Sequence, residues 1–286
     1  MAIQKTNKLL ENQLKLFVCN TDDIFDLVNF GFFKKQLIHN DSFSEIKNIV
    51  NEFENLEIQD SNYHGLTYSL FALNSKNSKS FHNHASKIVR PFLETSFKSF
   101  KSIVFSYIRK EAGYNSEFFL HQDWNYTNEK KHQSLTGWLA LQDISIDTGG
   151  MFFLKPEFRV QTLRSGSYLS IRTPSSLVSN IRLKKVSLKK GEVIFFQPSV
   201  FHGSAPNLGS ESRKVLNFIV LPQEAPFLHY KKINRFLAEE YILNDSDIFE
   251  NIEVLSEGTI PKNLKRNRYL FYNERLARKR IQKNLY

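Results

Sequence analysis

Apolar positions change their rhythm twice along this chain. Up to about residue 101 they recur three and four apart, as in Asp41–Phe53 and His84–Phe100, which predicts amphipathic helices. Pro91 is expected to break the second of these, because its ring cannot continue the hydrogen-bond ladder. From Ser102 to Pro222 the pattern becomes short apolar or alternating runs: Ile103–Ile108, Leu135–Leu141, Met151–Leu154, Tyr168–Ile171, Val193–Phe196 and Lys214–Leu221. Turn signals stand between them at Asp147-Thr-Gly-Gly150, Ser165-Gly166, Lys190-Gly191 and Asn207-Leu-Gly-Ser210. Many short strands at such spacing predict a sandwich, jelly roll or barrel. Beyond Pro222 the helical spacing returns. It runs into a basic tail from Lys262, where Leu264, Leu276, Ile281 and Leu285 predict an amphipathic helix with a solvated face. The expected architecture is one domain, mainly β with flanking α. Its β core covers about 102–222, between a helical N-terminal region (1–101) and a helical basic C-terminal region (223–286).

Composition narrows this picture only a little. At 286 residues and 41% hydrophobic content the chain can build one large core, and its 26 Phe and 11 Tyr make that core aromatic. A net charge of +10 favours acidic partners such as phosphorylated metabolites, while the basic tail reads as a solvated helix face before it reads as a nucleic-acid arm. Cys19 is the only cysteine, which excludes an intrachain disulfide and a cysteine-rich zinc site. The first residues lack the apolar stretch of a signal peptide, and no window approaches the roughly 20 apolar residues that span a bilayer. The expectation is a soluble cytoplasmic protein.

Three features carry chemistry. His121-Gln-Asp123 follows the apolar Phe118-Phe-Leu120, and in an extended segment residues i and i+2 share a face, so imidazole and carboxylate can converge on one ion. The run from Gly191 to His202 places a histidine just beyond a buried strand that Pro198 ends, beside the small Gly203 and Ser204. Arg213 opens the apolar strand Lys214–Leu221, where a lone guanidinium is expensive and a bidentate carboxylate partner is expected. Taken singly, His202 reads as a loop histidine and Arg213 as half of an internal salt bridge. Taken together they describe a facial triad of two histidines and one carboxylate, which suits iron(II) with three positions left open. A cation behind it would hold the far carboxylate of a chelating 2-oxo acid, 2-oxoglutarate. His82-Asn-His84 also spaces two histidines closely, but no glutamate follows at a cupin-like distance, so these read as structural or surface residues.

At this point the chain resembles the phytanoyl-CoA dioxygenase (PhyH) family of iron(II)/2-oxoglutarate-dependent oxygenases. The resemblance lies in HQDW at 121–124, GWLALQDIS at 137–145, TGGMFFLKP at 148–156, and GEVIFFQPSVFHGSAPN at 191–207 followed by Arg213. It implies a double-stranded β-helix (jelly roll, cupin-like) and metal ligation by His121, Asp123 and His202. It also implies binding of 2-oxoglutarate by Arg213, Ser204 and Trp138, with Ser106 a lesser candidate for the same pocket. The implied reaction consumes O2 and 2-oxoglutarate, hydroxylates an unactivated C–H bond of a small or carrier- or nucleotide-linked metabolite, and releases succinate and CO2. A carboxylate at Asp123 favours hydroxylation over halogenation. Lys155-Pro-Glu-Phe158 departs from the Pro-Gly-Ser/Thr-His usual in the family and leaves the substrate open. Arg213 is followed by Lys214 and Val215, unlike plant-type relatives, and Ile219 stands where AlkB-like demethylases carry a second arginine. A nucleic-acid-modifying oxygenase and a catalytically silent binding protein on the same scaffold are the alternatives.

Overall fold

Successive side chains of a strand point to opposite faces, and the run Val193–Phe196 shows how that layers the molecule. Val193 and Phe195 join one hydrophobic cluster, Ile194 and Phe196 another. The computed structural model describes residues 2–39, 43–56, 65–113, 116–155, 163–164, 183–234 and 236–271. Its larger sheet has six antiparallel strands in the order β1 (Phe32–Gln36), β8 (Glu192–Phe196), β5 (Leu135–Ala140), β10 (Arg213–Pro222), β3 (Phe100–Lys110) and β2 (Leu66–Tyr68). A second, four-stranded sheet runs β4 (Phe118–His121), β9 (His202–Ser204), β6 (Met151–Leu154) and β7 (Leu183–Val186). Between the sheets, Phe32, Trp138, Ile194, Phe196 and Val215 meet Met151, Phe153 and Val186.

The outer face of the larger sheet is covered by α1 (Ala2–Lys15), α2 (Thr21–Phe30), α3 (Phe43–Glu54) and, after the single turn α4 (Ser69–Ala72), α5 (Ser75–Leu93); Leu14, Leu27, Phe53 and Val89 of the four longer helices pack on Phe195, Leu216 and Phe218. The result is the mainly β, double-stranded β-helix architecture with flanking helices that the sequence predicts.

Three readings need correction. Pro91 does not break its helix: α5 runs through it to Leu93, because the lost ladder bond falls in the last turn. The N-terminal region also contributes two strands, β1 and β2, which form both edges of the larger sheet. Among its described residues, which end at Phe271, the C-terminal region is not mainly helical. They form β11 (Leu228–Lys232), β12 (Leu237–Ile242) and β13 (Arg266–Phe271), a three-stranded sheet, with one helix, α6 (Asp245–Ser256). There Glu240, 1% exposed, accepts hydrogen bonds from Arg268 at 2.7 and 2.9 Å, and Glu239 accepts one from Arg266 at 3.0 Å. These cross-strand pairs give polar stretches a reason to be strands that local periodicity does not carry. The expected strand Tyr168–Ile171, the turn Ser165-Gly166 and most of the basic tail lie outside the described residues. Among those described, no helix is long and apolar enough to cross a membrane.

Two local features aim the inner face. In β3, Val104 adopts φ 55°, a left-handed conformation costly for a β-branched residue, and the register with β10 shifts between Asn217 and Ile219. The bulge leaves the Phe105 N–H without a ladder partner, and it donates to His82 Nδ1 at 3.1 Å. Burial lowers the His82 pKa and so keeps this ring a neutral acceptor. At the other feature, Gly191 has φ 81°, and its carbonyl accepts from the N–H groups of Leu37 and Ile38. A Cβ here would lie 2.1 Å from the Ile38 carbonyl oxygen. Gly191→Ala is therefore expected to lower stability by at least ~2 kcal/mol, since the left-handed φ alone costs about 1–2 kcal/mol; urea unfolding checks this.

Candidate metal centre

Short strands of the smaller sheet bring the three expected ligands together. His121 ends β4 and His202 opens β9, and the two are direct antiparallel partners. Asp123 follows where the chain leaves β4, its N–H donating to the Pro198 carbonyl at 3.0 Å. The Nε2 atoms of His121 and His202 each lie 3.5 Å from Asp123 Oδ1, and one ligand atom from each residue lies within 4.8 Å of the others. Cis ligands of an octahedral ion bound at about 2.1 Å stand about 3 Å apart, so this donor set fits one metal ion with little adjustment.

The surroundings set orientation and charge. Nδ1 of His121 lies 2.9 Å from the Phe119 carbonyl and Nδ1 of His202 lies 3.0 Å from that of Val200. With each Nδ1 anchored at its carbonyl, both Nε2 atoms are turned toward Asp123. The Thr136 hydroxyl donates to Asp123 Oδ2 at 2.7 Å, leaving Oδ1 toward the histidines. Phe118 packs edge-on against His121, and Phe196 and Phe153 lie beside His202. Burial resists ionisation of Asp123, but the imidazoles of His202 and His121 outweigh it and hold the carboxyl well below the usual carboxylate range. Burial, helped by His202, pushes the His121 pKa down. An anionic carboxylate beside a neutral imidazole is the state a metal requires.

Arg213 opens β10 at 2% exposure, with its guanidinium carbon 4.8 Å from the centre of the Trp138 ring. Its Nε and Nη1 are buried and have no hydrogen-bond partner among the described residues. Burial lowers its pKa to about 9, so it stays a cation at neutral pH. Buried donors normally find acceptors, and the planar fork of a guanidinium suits a bidentate carboxylate. Ser204 is buried nearby on β9, and its Oγ accepts from Lys110 Nζ at 2.7 Å. Gly149, at φ 85°, covers the pair: a Cβ there would meet Lys110 Cδ at 3.0 Å and Arg213 Nε at 3.6 Å.

Each candidate read from the sequence thus lies on or beside the inner face. Ser106 is fully buried, donating to the Asn217 carbonyl at 3.2 Å, and it contacts Tyr68, whose hydroxyl accepts from Asn217 Nδ2. His82 and His84 are not part of the cluster. The sequence reading missed Lys110, Thr136 and Arg164. Thr136 and Lys110 had a signal, since they stand at i, i+2 spacing from Trp138 and, through Ile108, from Ser106. Arg164 had none. It reaches across 41 positions to donate from Nε to the Asp123 carbonyl at 2.7 Å and pairs with the buried Glu129. Thr136→Val, which keeps the shape and removes the hydroxyl, is expected to weaken metal affinity about 10–100-fold, measurable by competition with a chelator.

Residues 98–215 match the protein family described as Phytanoyl-CoA dioxygenase (PhyH). Among solved structures the chain is similar to HygX from Streptomyces hygroscopicus with nickel and 2-oxoglutarate bound, at 13% identity and a TM-score of 0.51, covering 72% of this chain and 88% of that one. It is similar to SnoK, a non-heme α-ketoglutarate-dependent carbocyclase from nogalamycin biosynthesis, at 13% identity and a TM-score of 0.52, covering 73% and 86%. EvdO2 from Micromonospora carbonacea var. aurantiaca follows at 14% identity and a TM-score of 0.50, covering 71% and 91%. At such identities the likeness establishes the fold. No curated protein matches the chain in sequence.

Proposed function

We propose that this chain, a member of the phytanoyl-CoA dioxygenase (PhyH) family through residues 98–215, hydroxylates an unactivated C–H bond of a small or carrier- or nucleotide-linked, anionic metabolite as an iron(II)- and 2-oxoglutarate-dependent dioxygenase. One observation carries the reading: a buried arginine with two open donors stands on the inner face that also holds the histidine–carboxylate cluster. HygX has nickel and 2-oxoglutarate bound in the same fold, which supports it.

In this reading His121, Asp123 and His202 hold iron(II), while Arg213, with Ser204 and Trp138, holds the far carboxylate of 2-oxoglutarate. Iron(II) and 2-oxoglutarate, when bound, supply oxidation by O2, in which the co-substrate leaves as succinate and CO2 and one oxygen atom enters the substrate as hydroxyl. The protein positions and shields. Its carbonyls of Phe119 and Val200 fix the imidazole tautomers, and the Thr136 hydroxyl fixes the carboxylate. Phe118, Phe153 and Phe196 exclude water around the rings. Trp138 offers its ring face to the guanidinium, whose carbon lies 4.8 Å from the ring centre, and so helps to hold Arg213 in place. Tyr68, Ser106 and Asn217 form a buried polar group near Asp123; burial raises the Tyr68 pKa to about 12, the Asp123 charge adding to it and hydrogen bonds with Ser106 and Asn217 opposing it. The net charge of +10 suits an anionic substrate.

The test is succinate release from 2-oxoglutarate by the purified protein with added iron(II), without and with candidate substrates. Release that needs both iron(II) and Asp123 supports the assignment. Metal-independent release, or none with iron(II) bound, refutes it.

A further inference from the structure

Lys110 closes β3 with no exposed surface, directly opposite Arg213 in the antiparallel register of β3 and β10. An ammonium so deep in a barrel normally pairs with a carboxylate. Here each of its described hydrogen bonds ends on a neutral oxygen: Ser204 Oγ at 2.7 Å, the Ala205 carbonyl at 2.7 Å and the Ser204 carbonyl at 3.3 Å. Two basic groups therefore stand side by side under the Gly149 turn, the guanidinium with two open donors and the Lys110 nitrogen bonded to the Ser204 hydroxyl. Such a pair has no structural benefit without a ligand, since the guanidinium loses hydration and its charge, with burial, holds Lys110 back from protonation. A dianionic ligand removes both costs.

Building on the reading above, we propose that Lys110 is the second cation of the 2-oxoglutarate pocket, acting with Arg213 on the far carboxylate and turning the Ser204 hydroxyl hydrogen toward it. The relay follows from donor and acceptor roles: once Nζ donates to Ser204 Oγ, the hydroxyl's own hydrogen is free to point into the pocket.

The charge state of Lys110 then changes on binding. In the empty site burial, and then the neighbouring Arg213 charge, push its pKa down to about 6, against a smaller opposite pull from Glu117. The other groups facing it are Ser204 and Ala205 on the β9 side, the Gly149 turn, and Leu66, its apolar partner on β2. A carboxylate on Arg213 cancels the repulsion and raises the pKa. At pH 7 an amine that is mostly neutral becomes an ammonium, so binding takes up a proton. By linkage, affinity for 2-oxoglutarate weakens as pH rises above about 6, by up to about tenfold per pH unit.

The experiment is calorimetric titration of 2-oxoglutarate into the anaerobic, iron(II)-loaded protein in buffers of different ionisation enthalpy, for wild type and Lys110→Met. Wild type is expected to take up close to one proton, and the variant to bind about tenfold or more weakly with no uptake and a flat pH profile. A folded Lys110→Met with wild-type affinity overturns the proposal, as does wild-type binding without proton uptake, a readout that holds even where the variant does not fold. Wild-type protein that binds iron(II) but no 2-oxoglutarate instead sinks the functional reading on which this one rests.

Discussion

Asp123→Ala is expected to abolish iron(II)- and 2-oxoglutarate-dependent succinate release while leaving the barrel folded. The carboxylate is the only anionic group of the cluster, and both imidazoles aim their Nε2 atoms at its Oδ1. Removing it leaves two neutral nitrogens and an ion whose charge nothing offsets. Loss of one partner from a buried charge pair costs about 2–5 kcal/mol, which is roughly 30- to 4,000-fold in metal affinity. That exceeds the effect expected for Thr136→Val, which disturbs only the orientation of the same carboxylate. The ordering matters as much as the size, because a merely structural Asp123 would predict loss of folding in place of loss of metal. Chelator competition and circular dichroism on the same sample separate the two.

The second large effect has opposite signs in two measurements. Arg213→Met is expected to weaken 2-oxoglutarate binding by about 2–5 kcal/mol, the cost of leaving a carboxylate without its buried cation. In the absence of ligand the same variant should be more stable. The wild-type protein buries a guanidinium whose Nε and Nη1 bond to nothing described, and burial already lowers its pKa to about 9. Replacing it with a flexible apolar chain relieves a penalty of about 1–3 kcal/mol, less about 0.5–2 kcal/mol for the lost stacking on Trp138. Thermal unfolding with and without 2-oxoglutarate reads both: a Tm at or above that of wild type when empty, and no ligand-induced rise. A structural arginine would give a lower Tm in the empty protein.

Much of this site was legible because its chemistry is written in short range. His121 and Asp123 stand at the spacing that puts two side chains on one face of a strand, and the turn at Gly191 announces the strand that leads to His202. The strand runs at 103–108, 135–141, 151–154, 193–196 and 214–221 were legible because burial on both faces makes them continuously apolar. What escaped was held by distant partners. β1 and β2 are short edge strands of five and three residues, too brief for a period to emerge, and they exist because β8 and β3 offer them ladder positions. The strands β11, β12 and β13 carry Glu239, Glu240, Arg266 and Arg268, polar residues whose pairing depends on register. Lys110 lies just beyond the apolar run Ile103–Ile108, so periodicity does not single it out. Its position opposite Arg213, in a register that the bulge at Val104 helps to set, is a long-range fact that no local pattern carries.

The central claim is that two imidazoles, one carboxylate and one buried guanidinium serve a single metal and a single 2-oxo acid. Anaerobic crystals grown with iron(II) and 2-oxoglutarate, measured at the iron absorption edge, test it most directly. The expected result is one anomalous peak bonded to His121 Nε2, Asp123 Oδ1 and His202 Nε2, chelated by 2-oxoglutarate whose far carboxylate meets Arg213. An iron peak elsewhere, or a ligand carboxylate that leaves the Arg213 donors open, would contradict it.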